Sequence, residues 1–189
     1  LVVKPLHGRG NKGNTGAPLK VLAYKMPGNV TKEWKTSLVC EFLHNSHNFH
    51  PINWDKDTEE ELLVTGQEGT WHLDRQKDNS WKRTAISEEF GGEVRDGKLP
   101  DDRRFVATIE PRHGSVVACY VQKGEEWTRH VLDTTLKDGH ALAAGLLRYS
   151  ELGDEYIQRL RLIMRQNRYL LQLSRIAYSA HGELGRSAG

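Results

Sequence analysis

Three tryptophans, Trp34, Trp81 and Trp127, stand 47 and 46 residues apart, and the segments around them align as a repeat. A period of this size means stacked supersecondary units. Each unit runs from a short apolar strand ending in an aromatic residue (Tyr24, Trp71, Tyr120), through a polar turn, to the Trp and a second apolar strand. The second strands are Ser37-Leu38-Val39, Thr84-Ala85-Ile86 and His130-Val131-Leu132. After a loop comes a third apolar run, Glu61-Leu62-Leu63-Val64 in the first unit and Phe105-Val106-Ala107-Thr108-Ile109 in the second, with Leu1-Val2-Val3 as an N-terminal remnant. Short β-branched and aromatic runs bounded by Gly, Asn, Asp and Lys are the pattern of antiparallel strands.

Units of this length with several strands match the blades of a β-propeller; an ordinary β-sandwich explains the even Trp spacing less well. The expected fold is mainly β: a partial β-propeller over residues 1–145, with two complete blades and parts of two more. Trp127 opens a unit that is not completed, so the chain reads as a fragment. From about Ser150 the pattern changes. Tyr156, Leu160, Ile163, Leu170, Leu173 and Ala177 recur at helical spacing after a capping Asp154, and Arg159, Arg161, Arg165, Arg168 and Arg175 make the other surfaces basic. The sequence thus predicts a C-terminal amphipathic α-helix in a divergent tail, 146–189. Such a helix suits a partner or a membrane surface, or else covers an open sheet edge.

The 189 residues are 37% hydrophobic, enough for a core and without a run that spans a membrane. A net charge of +2 is too small to argue for nucleic acid, and the mixed charges over residues 54–104 read as a solvated surface. Cys40 and Cys119 are too few for a disulfide framework and read as buried free thiols. Asn29-Val30-Thr31 is a glycosylation sequon, meaningful only in a secreted protein, so the compartment stays open.

Nine histidines are many for this length, and they fall in equivalent places. His47 and His140 each lie thirteen residues after a repeat Trp, while His7 and His113 each end an apolar strand, in Pro5-Leu6-His7-Gly8 and Pro111-Arg112-His113-Gly114. Equivalent positions of stacked units converge, and neutral imidazoles brought together ligate a divalent transition metal. With a carboxylate such as Glu110 they could polarise a carbonyl or move protons. The competing reading is that these His-Gly pairs are turn residues bonded to backbone. Asn53, Asp55, Asp57 and Glu61 place oxygen side chains at alternating positions of one loop, as calcium requires, although Thr58 stands where a sharp calcium turn prefers Gly. A metal-free turn is the equal alternative. Gly8-Arg9-Gly10-Asn11-Lys12-Gly13 matches a dinucleotide fingerprint in letters only, since no helix pattern follows.

Four stretches carry a resemblance: Val3 to Asn11, Leu43-His44-Asn45-Ser46-His47-Asn48-Phe49, Phe105 to Gly114 with its Glu-Pro-x-His-Gly string, and Val131 to Leu142 with Asp-Gly-His-Ala-Leu. Together they resemble the propeller domain of aldos-2-ulose dehydratase-like proteins, within the wider FG-GAP/VCBS repeat group, over roughly residues 1–145. The resemblance implies a lyase-type, metal-assisted dehydration of an oxidised sugar, with zinc or magnesium as cofactor and a carbohydrate-type small molecule as partner. It implies a site lined by His7, His47, Glu110, His113 and His140, with Glu110, His113 and His140 in catalytic roles. Arg112 departs from the aromatic expected in the Glu-Pro-x-His-Gly string, and the expected Asp-rich loop is missing after Gly145. A non-catalytic repeat module for a carbohydrate or protein partner, or an inactive truncated product, is the alternative function.

Overall fold

The computed structural model describes residues 1–12, 15–99 and 101–144. Eleven strands form three antiparallel sheets. The first has three strands: β1 (Val2–Val3), β2 (Val21–Lys25) and β3 (Lys35–Cys40). The second has four: β4 (Ser46–Ile52), β5 (Glu61–Gly66), β6 (Gly69–Arg75) and β7 (Trp81–Ser87). The third also has four: β8 (Glu93–Lys98), β9 (Arg104–Glu110), β10 (Val116–Lys123) and β11 (Glu126–Asp133). Each sheet is a meander in which consecutive strands pair.

Strand alternation explains the stacking. Every residue of β5 is buried, because both faces of the second sheet are covered. Leu62 and Val64 pack with Leu19, Val21, Val39 and Leu43 toward the first sheet, whereas Leu63 packs with Val94, Val106, Ala118 and Tyr120 toward the third. Successive side chains point to opposite faces, so one strand serves two cores. Each fully buried Leu or Val contributes roughly 1.5–3 kcal/mol of transfer free energy. The outer face of the third sheet carries Phe105, Ala107 and Cys119, with Leu132, Leu142 and Ala144 against it. Both cysteines are free, Cys119 buried and Cys40 half-buried, and burial pushes their thiols up to about 11 and about 12.

The hairpin between β5 and β6 turns on Gly69, at φ 100°, where a Cβ would lie 1.9 Å from the Ser87 carbonyl oxygen. Only glycine meets both demands. Trp54, in the β4–β5 loop, ties the second sheet to the third: it stacks on His72 (4.4 Å between ring centroids), tilts against Trp127 (6.0 Å) and lies under the Arg104 guanidinium.

The structure corrects the expected fold. Two complete units and parts of two more, followed by a helix, are replaced by three antiparallel sheets of three, four and four strands, with no helix among the described residues. The helix expected over 146–189 lies outside the described residues. The boundaries between units also shift. Glu61 to Val64 and Phe105 to Ile109 belong to the sheets that follow them in sequence, as β5 and β9. Trp127 therefore opens no unfinished unit: it lies in β11, the last strand of a complete four-stranded sheet. The physical reason is that β4 and β8 are polar strands, carrying Ser46-His47-Asn48 and Arg95-Asp96, without the apolar alternation that marks the other strands.

Candidate metal centre

His47, His113 and His140 come from three separate segments to one place, with one ligand nitrogen from each lying within 4.8 Å of the others. The ring centroids are 4.4 Å apart for His47 and His113, 4.9 Å for His47 and His140, and 4.3 Å for His113 and His140. These spacings suit a shared ion, whose bonds to imidazole run about 2.0–2.1 Å.

Three local devices assemble the cluster. His47 sits near the start of β4, where the pairing with β5 is irregular between Ser46 and Phe49, and the next residue's amide, Asn48 N–H, donates to the Gly92 carbonyl. His113 is carried by the β9–β10 turn after a cis Glu110–Pro111 bond. That turn approaches Gly92 so closely that a Cβ there would lie 1.7 Å from the Arg112 carbonyl oxygen. His140 is delivered by the chain after β11, which folds back through Leu136 N–H to Ser115 O and Gly139 N–H to Gly114 O.

Behind the cluster lies Glu93, the first residue of β8. Its Oε1 faces Nδ1 of His47 at 2.9 Å and accepts from Asn48 Nδ2 at 2.5 Å, and the side chains of His47 and Glu93 are only 12% and 1% exposed. Nδ1 is thus occupied, which leaves Nε2 of His47 for a ligand. A carboxylate behind a metal-binding imidazole fixes its tautomer and orientation. Burial raises the Glu93 carboxyl above its ordinary value. It lowers His47, with His140, Arg112 and Lys4 adding repulsion, and lowers His113, with His47, His140 and Arg112 adding theirs. Nε2 of His113 is buried without any hydrogen-bond partner. A buried ring nitrogen left unsatisfied is uncommon, and a bound ion would satisfy it.

The other expected site residues lie elsewhere. His7 is exposed, and its backbone bridges Asn45. Glu110 is buried, and its oxygens accept from Thr108 Oγ1 (2.7 Å), the Tyr120 hydroxyl (2.6 Å) and Arg129 Nη2 (2.6 Å). Ser87 Oγ donates to Tyr120 in turn, so the network spans the second and third sheets. Asp55, Asp57 and Glu61 do gather, within 4.8 Å of one another. Their oxygens accept loop amides: Asp57 N–H to Asp55, Glu59 N–H to Asp57 and Trp54 N–H to Glu61. Asn53 turns its amide nitrogen to the Asp57 carbonyl. Burial, and after it repulsion from Asp55 and Asp57, raises the Glu61 carboxyl above its ordinary value.

Sequence reasoning missed Glu93, placing it in the mixed-charge surface stretch. The available signal was Gly91-Gly92 directly before Glu93-Val94, since glycines at a strand mark close backbone approach.

No protein-family model matches this chain, and no curated protein matches it in sequence. No helix among the described residues is long and apolar enough to cross a membrane.

Proposed function

We propose that the chain holds a divalent transition metal on His47, His113 and His140, and that this centre serves the removal of water from an oxidised sugar. The reaction class comes from the Glu-Pro-x-His-Gly and Asp-Gly-His-Ala-Leu strings, which supply His113 and His140. What carries the reading is the convergence of three imidazoles from distant segments, one with an orphaned buried nitrogen and one backed by a buried carboxylate. Nitrogen donors favour zinc over magnesium, which prefers oxygen ligands in strict octahedral array.

A bound divalent ion supplies polarisation of a carbonyl oxygen and acidification of water. The chain's own residues prepare the place. Glu93 holds the proton on Nδ1 of His47, and so aims Nε2 outward. Burial keeps His47 and His113 neutral near pH 7, the state that ligation requires. His140 is exposed, so the centre is open on one side to a small molecule. Glu110 has a structural part in this reading, as the acceptor at the centre of the Tyr120 and Arg129 network.

The test is zinc titration by calorimetry with metal analysis of the dialysed full chain, followed by incubation with anhydrofructose. One zinc per chain, lost in the His113→Ala, His140→Ala double variant, and a zinc-dependent ultraviolet-absorbing enone are expected. A parent protein that binds no zinc would sink the metal reading. Zinc binding without an enone would reject the dehydration and leave a non-catalytic binding module.

A further inference from the structure

Next to the three histidines lies a cation with no ion-pair partner among the described residues. Arg112 directly precedes His113, and its backbone is held at φ 26°, in a region that a non-glycine residue adopts only when its surroundings impose it. Those surroundings include Gly92, packed on the Arg112 carbonyl. The side chain is half-buried, its Nε is buried without a hydrogen-bond partner, and no carboxylate among the described residues forms an ion pair with Arg112. Its charge is felt by His47, His113 and Lys4 alike. Lys4 is a second cation at this end, donating to Ser46 Oγ at 2.6 Å and to the His47 carbonyl at 3.1 Å. Glu93, the buried acid here, is already committed to His47 and Asn48.

A buried guanidinium donor without an acceptor is costly unless a ligand supplies one. The planar fork of Arg fits the paired oxygens of a carboxylate or phosphate. A dication on the histidines would add positive charge and strengthen the demand for an anion.

We propose that this centre prefers an oxidised sugar bearing an acidic group over a neutral one, the carboxylate or phosphate sitting on Arg112 beside the histidines. The inference deepens the metal reading and rests on it for the placement of the sugar's carbonyl, but not for the oxyanion itself.

The test is calorimetric titration of the full chain, zinc-loaded and metal-free, at low salt, with gluconate, glucose 6-phosphate and neutral glucitol. At least one acid is expected to bind about tenfold or more tightly than glucitol, and which acid does so distinguishes carboxylate from phosphate. Arg112→Gln should abolish the preference while leaving zinc affinity within about threefold, since it removes a charge and not a ligand. Arg112→Lys, which keeps the charge and loses the fork, should retain part of it. Equal binding of acid and glucitol, or a preference that survives Arg112→Gln, overturns the proposal. If Arg112→Gln does not fold, an unchanged preference in Arg112→Lys overturns it instead. If zinc fails to bind, the metal reading falls, and the metal-free titration alone decides the oxyanion: binding sensitive to Arg112 sustains it and no binding rejects it.

Discussion

His72 shows how a single side chain makes this fold sensitive to acid. It projects from β6 onto the face of Trp54, and its Nε2 is buried without a partner. Burial holds its protonated form below the ordinary 6.5, with Arg104 and Lys82 reinforcing and Asp74 and Asp55 opposing. Between the lowered value and 6.5 the unfolded chain binds more protons than the folded one, so stability rises with pH across that window. The contribution is complete above 6.5 and is lost as pH falls toward the folded value. His47, His50 and His113 are also lowered by burial and slope the same way, while Glu61 and Glu93, raised by burial, slope oppositely above 4.5. His72→Phe keeps the stack on Trp54 and removes one titrating group. The melting temperature of the variant is therefore expected to fall less than that of the parent between pH 7.5 and pH 5.5, by a few degrees. Parallel curves for the two proteins would refute the assignment.

At the scale of elements, the centre depends on how closely β8 and the β9–β10 turn approach. Gly92 precedes β8, donates its N–H to the Ile109 carbonyl, and accepts from Asn48 N–H on β4. A methyl group there meets Arg112 backbone and not a flexible side-chain end, so one of the two segments must move. Gly92→Ala is accordingly expected to cost about 1–3 kcal/mol from overpacking and to weaken zinc binding by roughly tenfold or more, because His113 shifts relative to His47. Calorimetry on the folded variant checks this, and zinc affinity equal to the parent's would contradict it. The same junction explains what was readable beforehand. The tryptophans are equivalent in the fold, each at the start of the last strand of its sheet: Trp34 just before β3, Trp81 opening β7, Trp127 second in β11. Their spacing therefore revealed the repeat. It did not reveal where one sheet ends and the next begins, since β4 and β8 present polar residues that read as loop or surface. His47, His113 and His140 were visible because histidine is chemically conspicuous at repeated positions. Glu93 was not, because a lone acid among charges becomes distinctive only when packing excludes it from water. Glu110 shows the converse: its motif marked it for chemistry, and its three donors hold it in the interface between sheets.

Across the whole molecule, the centre lies where the second and third sheets meet, which packing and hydrogen bonds such as Ser87 to Tyr120 already join. His47 belongs to the second sheet, His113 to the β9–β10 turn of the third and His140 to the segment after β11, and the Glu93 carboxylate already reaches from the third sheet to His47 and Asn48 in the second. An ion bound there exists only in the folded state, where the three segments coincide, so its binding energy adds to stability. At a zinc concentration about a hundredfold above the dissociation constant, the gain is about 2.7 kcal/mol. In a chain of this size that corresponds to roughly 5–10 °C in melting temperature. The gain should reverse on adding a chelator and be absent in the His113→Ala, His140→Ala variant. Because an ion held there would bridge sheets, hydrogen exchange is expected to slow on addition of zinc both in β4 and in the β9–β10 turn. Protection confined to one of these segments would show that zinc sits on a single sheet, and an equal thermal shift in the double variant would place it away from the three histidines.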